Sequence, residues 1–217
     1  MPKYFKIVLL LTVFNFLNAD NHGFTEKVLY LENHDPSVVI IKRLNGEEEI
    51  DVSFEDSDIS WEMLDGWKKD KKLNFEFSSK NGGYLIDPET NKKLLIVGGY
   101  KTHPIEEIHQ TCLDDPNNFS TAHMVECNYQ AYENWDNYLN YIYKNLNSQL
   151  TKEQKNSLIK SQRAWIKFKD AQANSMFNIL DSKDGTIWRI IISSNTVEIV
   201  KSQALRLESY LHQLSAF

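Results

Sequence analysis

Residues 120–146 read STAHMVECNYQAYENWDNYLNYIYKNL, and this stretch decides the fold of the C-terminal half. Its apolar side chains recur at spacings of three and four, which places them on one face of a helix of about two dozen residues. The members of this stripe are Met124, Cys127, Ala131, Trp135, Tyr138, Ile142 and Leu146. Ser120 precedes the stripe and is a suitable N-cap. The stretch therefore predicts a long amphipathic helix.

Two more helices follow this one. Thr151 and Gln154 have the spacing of a capping box, which opens a second helix containing Trp165. Asp184-Gly185 interrupts the pattern before a third apolar stripe begins at Trp188. Because no proline lies between residues 117 and 217, three long helices with short connections are allowed. Residues 101–111, which precede them, are interpreted as a connector.

The N-terminal half has a different periodicity. Between residues 24 and 100 the apolar residues alternate with polar ones, as in half-buried strands; Leu73, Phe75 and Phe77 are an example. Asn45-Gly46 is a strong hairpin signal, and residues 59–67 break the alternation as a helical turn or a loop. Five or six short antiparallel strands in a sheet or barrel are expected. The predicted class is α+β: a small antiparallel β domain followed by a three-helix, disulfide-tied module.

The N-terminus has the layout of a secretory signal peptide. Lys3 and Lys6 precede an apolar run over residues 7–17, and Asn18-Ala19 follows it. The run is shorter than the roughly 20 apolar residues that span a bilayer. The alternative is a buried N-terminal strand. We therefore predict a signal peptide over residues 1–19 with cleavage near Ala19, a β domain over 20–105, a helical domain over 106–217, and a periplasmic or secreted protein.

The chain has two cysteines, Cys112 and Cys127. An exported protein with an even number of cysteines usually pairs them, so a disulfide is expected. A metal site built from two thiols alone and a reduced catalytic pair are the weaker interpretations. Closing a loop of about 15 residues stabilises the folded state by roughly 3 kcal/mol in the chain-entropy model.

The negative charge is confined to the N-terminal half. Residues 20–111 contain 19 acidic and 11 basic side chains, whereas residues 112–217 contain 11 of each. This balance argues against nucleic acid as a partner and favours a cationic protein. The alternative is that the charge only keeps the domain soluble. The candidate acidic partner surface consists of Glu47, Glu48, Glu49, Asp51, Glu55, Asp56 and Asp58.

Motifs for catalysis are not found in the sequence. It contains no nucleophile elbow, no phosphate-binding glycine loop and no His-Glu-x-x-His zinc motif. His103 and His109, with Glu106 and Glu107 between them, are the best metal candidate, but they lack a standard ligand spacing. The carboxylates of residues 47–51 are better explained as solvated charge than as a glycosidase pair. The sequence therefore predicts a protein without enzymatic activity, cofactor or metal.

The helical half resembles the LprI-type lysozyme inhibitor module over about residues 112–211. The resemblance is carried by the two cysteines, by the segment Trp135-Asp136-x-x-Leu139-Asn140-x-x-Tyr143, and by Gln162-x-Ala164-Trp165-Ile166 with Asp170-Ala171. A further cysteine commonly follows the Asp-Ala pair in that family, and Gln172-Ala173-Asn174 stands there instead. We expect structural roles for Trp135, Asp136, Leu139, Asn140, Tyr143, Gln162, Trp165 and Asp170.

The resemblance implies a small exported helical domain of bacterial envelopes, associated for at least one member with inhibition of lysozyme. The leading hypothesis is an inhibitor that blocks a cationic, lysozyme-like muramidase by steric occlusion. The alternatives are a cell-envelope module that binds peptidoglycan, glycan or an assembly partner, and a structural domain that packs against another subunit. Either half could carry the binding surface. A membrane-spanning role is not expected, because no later segment is apolar enough.

Overall fold

A computed structural model describes residues 22–34, 37–44, 49–180 and 183–215. The predicted signal peptide with Ala19, the Asn45-Gly46 turn, and Glu47 and Glu48 lie outside these residues. The strands are β1 (Gly23–His34), β2 (Val38–Arg43), β3 (Glu49–Phe54), β4 (Lys71–Ser78), β5 (Gly82–Ile86) and β6 (Lys93–Gly98). The helices are α1 (Asp58–Asp65), α2 (Pro104–Leu113), α3 (Thr121–Gln149), α4 (Lys152–Leu180) and α5 (Ile187–Ser215).

The six strands form a closed antiparallel barrel in the order β1-β2-β3-β6-β5-β4. Closure removes every free sheet edge, so each strand has a partner on both sides. The alternation predicted from the sequence is confirmed in β4, whose Leu73, Phe75 and Phe77 point inward and are buried. Between β4 and β5 the chain turns at Gly82 with a φ of +77°, a left-handed conformation that favours glycine.

The described part of the chain has five helices, so the prediction of three is wrong in number. The three long helices are present, and two short ones precede them. Helix α1 begins after Ser57, whose hydroxyl accepts a hydrogen bond from the Ser60 amide at 3.2 Å. Helix α2 occupies most of the predicted connector, because Pro104 at its start has the φ that a first helical residue needs. Cys112 therefore lies inside α2.

The reciprocal capping box at the start of α4 is confirmed. The backbone N–H of Gln154 donates to Oγ1 of Thr151 at 3.3 Å, and the backbone N–H of Thr151 donates to the side-chain Oε1 of Gln154 at 2.8 Å. The N-cap Ser120 is also confirmed, since its hydroxyl accepts from the His123 amide at 3.1 Å. The starts of α3 and α4 thus follow from local sequence signals.

One cluster of buried apolar side chains extends from the barrel into the helices. Phe77 of β4 and Tyr138 of α3 have ring centroids 6.0 Å apart and join the two parts of the cluster. Helices α3 and α5 supply most of the helical members, and α1 and α2 add Met63, Leu64 and Ile105. Helix α4 has only Leu158 and Gln162 as buried residues. The predicted domain boundary after residue 105 falls in the first turn of α2, and the division into two domains stays a prediction. None of the described helices is long and apolar enough to cross a membrane.

Candidate functional site

The acidic surface of the barrel follows β3 into α1. Glu49 and Asp51 lie on the outward face of β3, Glu55 and Asp56 follow it, and Asp58 opens α1. All five are exposed. Alternation along β3 directs Glu49 and Asp51 outward and sends Val52 and Phe54 into the core. The Trp61 indole donates to Oδ1 of Asp56 at 2.6 Å and thereby ties the surface to the helix.

Two members of this surface were missed in the sequence. Glu62 and Asp65 are exposed on α1, four and seven residues after Asp58, so they lie along one side of the helix. Their spacing from Asp58 fits one side of a helix. The sequence did not distinguish a helical turn from a loop over residues 59–67, so this spacing was not used. Residues 49–65 thus contain seven exposed acidic side chains and no basic one. We call this set the acidic surface: Glu49, Asp51, Glu55, Asp56, Asp58, Glu62 and Asp65.

Such a concentration of one sign of charge acts mainly at long range. Exposed ion pairs contribute little affinity, because water and salt screen them. Clustered charge instead raises the local concentration of an oppositely charged partner and the rate of association. The acidic surface is therefore suited to attracting a cationic protein.

The disulfide between Cys112 and Cys127 is present and joins α2 to α3, with Cα atoms 5.7 Å apart. His123 lies beside it, and its Nε2 is 2.9 Å from the carbonyl oxygen of Cys112. These three residues are the one group of potential metal ligands with convergent atoms in the described ranges. Both sulfur atoms are consumed by the disulfide, so the thiolates that a metal would need are absent while it is oxidised.

The histidine–glutamate candidate of the sequence is dispersed over α2. Nδ1 of His103 accepts from the Ile105 amide at 3.2 Å and caps the helix. His109 is hydrogen-bonded to Asn128 at 2.8 Å. Glu106 contacts Lys201 at 2.9 Å, and Glu107 contacts Arg43 at 2.8 Å. Each of the four side chains has its own partner, so the structure does not bring them together as a ligand set.

The family-motif residues of α3 lie between the core and the surface. Trp135 is fully buried, and its indole donates to Oε1 of Glu106 at 3.2 Å. Leu139 is buried, Tyr143 is half-buried, and both pack in the core cluster. Asn140 is exposed and donates to the backbone oxygen of Asp136 at 2.8 Å, one helical turn earlier. Most of these contacts hold α3 against its neighbours.

The motif residues of α4 are less enclosed. Gln162 is buried, and its Oε1 accepts from Gln203 of α5 at 3.3 Å. Trp165 is half-buried and packs against the core cluster on one side, and Asp170 is exposed. Trp165 also lines an open groove of about 890 Å³ between α4 and α5. Lys169 lies over its ring, with Nζ 5.9 Å from the centroid.

A largely enclosed polar junction joins the barrel to the helices, and no local sequence pattern indicates it. It consists of Tyr100 after β6, His103 before α2, Tyr138 of α3 and Glu208 of α5. Burial raises the pKa of the Glu208 carboxyl to about 7, although the hydrogen bond from Tyr138 acts in the opposite direction. Burial also lowers the pKa of His103 to about 3, and the charge of Lys201 adds to that shift. His103 is therefore neutral at pH 7, whereas Glu208 changes its charge close to that pH.

The family resemblance is confirmed for the helical segment. Residues 112–207 match the family model described as lysozyme inhibitor LprI. The matched segment runs from the disulfide to α5 and does not include the barrel or the acidic surface. The match therefore covers the disulfide-tied helical module and not the barrel.

None of the curated proteins matches the chain significantly. Among solved structures, the chain is similar to an uncharacterized protein from Burkholderia thailandensis, with 20% sequence identity and a TM-score of 0.49. The similarity covers 52% of this chain and 55% of that chain, so the chain spans about half the length of that protein.

Proposed function

We propose that this chain is an exported binding protein that inhibits a lysozyme-like muramidase by occluding its substrate cleft. The observation that carries the proposal is the match of residues 112–207 to the lysozyme inhibitor family model. The protein acts by binding and not by catalysis, and its partner is a cationic enzyme. The acidic surface supports this partner, because seven exposed carboxylates without a basic neighbour in residues 49–65 attract positive charge.

The disulfide supports the proposed location. Disulfides form and persist in oxidising compartments such as the periplasm and the extracellular medium. Cys112 and Cys127 are paired in the structure, as expected for a protein that leaves the cytoplasm. Cleavage of residues 1–19 near Ala19 completes the proposal and is tested by N-terminal sequencing of the exported protein.

The direct test is inhibition of cell-wall lysis. Residues 20–217 are added to cell-wall suspensions treated with a c-type, a g-type or an i-type lysozyme, at low and at physiological salt. We expect inhibition of at least one type, with a stronger effect at low salt because screening weakens the attraction. If none of the enzymes is inhibited at either salt concentration, the proposed function is wrong.

The second candidate is binding to the cell envelope without inhibition of an enzyme. The groove between α4 and α5 favours it, because a half-buried tryptophan flanked by amides such as Gln172 and Asn195 suits a glycan. Cosedimentation of the protein with purified sacculi, in the absence of any effect on lysis, is the result that supports this candidate over the inhibitor.

A further inference from the structure

The helical bundle is open at one end. We define the open end as residues 163–180 of α4 together with residues 187–196 of α5. Neither segment contains a fully buried residue, whereas α5 has buried residues from Val197 onward. The two helices make few contacts with each other here, and the groove of about 890 Å³ lies between them. This end of the bundle is therefore available for contact with another molecule.

The open end exposes large apolar side chains. Phe168, Phe177 and Ile179 of α4 are 53%, 52% and 61% exposed, and Ile166 and Ile187 are exposed as well. Phe168 and Ile179 line the same groove, and contiguous exposed apolar surface marks interaction sites in which aromatic anchors supply most of the affinity. The acidic surface is different, because its charged side chains are solvated and contribute chiefly to the association rate. The open end is the better source of binding energy.

The apolar residues surround α4 and do not form a single flat patch. Phe168 and Phe177 are nine residues apart, so at about 100° per residue they project from opposite sides of the helix. A flat partner covers one side only. A concave partner that receives the end of the α4–α5 pair covers both sides. The shape of the exposed apolar surface therefore fits a cleft.

The charge of the open end also fits an enzyme cleft. Arg163, Lys167, Lys169 and Arg189 are basic, Asp170 is the one acidic residue, and the net charge is +3. Hydrolysis of a glycosidic bond requires two carboxyl groups on either side of the scissile bond, so a muramidase cleft carries negative charge where its substrate binds. Beyond the open end, Glu198 and Arg206 also line the groove and offset each other, so the net positive charge stays on the open end. A cationic, apolar protrusion is complementary to such a cleft.

We infer that the open end enters the substrate cleft of the muramidase, while the acidic surface only attracts the enzyme. This inference rests on the proposed function and assigns its binding surface to the helical half. It agrees with the family match, because residues 112–207 contain the open end and exclude the acidic surface. The groove residues Trp165, Phe168 and Ile179 would then contact the walls of the cleft.

The test compares two exposed apolar residues of the open end with one exposed apolar residue of the N-terminal half. Phe168→Asp and Phe177→Asp alter the open end, and Ile59→Asp is the matched control, because Ile59 is 78% exposed beside the acidic surface. These positions are exposed, so the fold is retained and circular dichroism verifies it. We expect each open-end variant to lose at least about tenfold in inhibition, equivalent to 1.4 kcal/mol, and the control to stay within about twofold.

A second measurement locates the contact on the enzyme. An N-acetylglucosamine trisaccharide that occupies the cleft of a c-type lysozyme is titrated against the complex, and we expect it to displace the unaltered protein. Full inhibition by both open-end variants, or binding that the trisaccharide does not affect, overturns the inference while leaving the proposed function intact. If the unaltered protein inhibits no lysozyme, the proposed function and the inference both fail.

Discussion

The Tyr138 hydroxyl donates a hydrogen bond of 2.8 Å to Oε1 of Glu208 where α3 and α5 meet the barrel. Glu208 also lies beside β6, since a Cβ added to Gly98 would be 3.7 Å from Oε1 of Glu208. The pKa of Glu208 is raised to about 7, which makes the junction sensitive to pH near neutrality.

The first prediction concerns Glu208→Gln. Between pH 4.5 and 7 the unfolded chain has released the Glu208 proton while the folded chain retains it, so stability falls as pH rises through this window. The variant cannot ionise, and we expect it to be more stable than the unaltered protein at pH 8, by at most about 3 kcal/mol. The two proteins should have similar stability below pH 4.5.

Urea unfolding at pH 4, 6 and 8 measures this difference. Glu133→Gln is the matched control, because Glu133 is an exposed residue on α3. The control should follow the unaltered protein at every pH. Equal stability of Glu208→Gln and the unaltered protein at pH 8 would contradict the predicted cost of ionising the buried carboxylate.

The second prediction concerns Arg43, which connects the barrel to α2. Its Nε is 3.1 Å from Oε1 of Glu26, and its Nη2 is 2.8 Å from both carboxylate oxygens of Glu107. Burial raises the pKa of Glu26, and the charge of Arg43 opposes that rise. Arg43→Met leaves two carboxylates without their cation, so we expect a loss of about 3 kcal/mol in the free energy of unfolding at pH 7.

Lys93→Met is the control for Arg43. Lys93 pairs with Glu76 at 3.8 Å, and both side chains are about half exposed, so the pair is screened by water. Its loss should change stability by less than about 1 kcal/mol. Chemical denaturation at pH 7 measures the free energy of unfolding of both variants. Equal losses would show that the Arg43 pairs are no stronger than a surface pair.

The third prediction concerns the disulfide. Cys112 and Cys127 are 15 residues apart, and joining them restricts the unfolded chain. The double variant Cys112→Ala/Cys127→Ala should therefore lose about 3 kcal/mol of stability. Dithiothreitol should destabilise the unaltered protein by a similar amount and leave the double variant unchanged. A midpoint of urea unfolding that neither change moves would rule out this stabilising role.

The fourth prediction separates attraction from affinity at the acidic surface. The triple variant Glu55→Gln/Asp56→Asn/Asp58→Asn removes three exposed charges from one face. We expect its association rate constant with a cationic lysozyme to fall by about 3- to 10-fold at low salt and to match the unaltered protein at high salt. The dissociation rate should change little, because the removed charges remain solvated.

Surface plasmon resonance at several salt concentrations measures both rates. The matched control neutralises three exposed glutamates of α3 and α4, namely Glu126, Glu133 and Glu153. It changes the net charge equally but leaves the acidic surface intact, so its association rate should fall less. A faster dissociation of the first triple variant would place the acidic surface inside the interface.

The local elements were predictable from the sequence. Strand alternation in β4, the apolar stripe of α3, the Thr151–Gln154 capping box and the pairing of Cys112 with Cys127 are all present in the structure. Each depends on residues close together in the chain or on a simple count of cysteines. The resemblance of residues 112–207 to the lysozyme inhibitor family was recognisable for the same reason, since its motifs have short spacings.

Only the tertiary structure decided the closure of the barrel, the burial of Glu208 and the openness of the bundle at α4. Closure requires β1 to pair with β4 and β3 with β6, and these pairings join strands that are distant in the sequence. Periodicity reveals that a side chain lies on an apolar face, but not whether a neighbour covers that face. Trp165 and Phe168 stay accessible because a groove lies between α4 and α5 there, and Glu208 is enclosed because the barrel packs against α5.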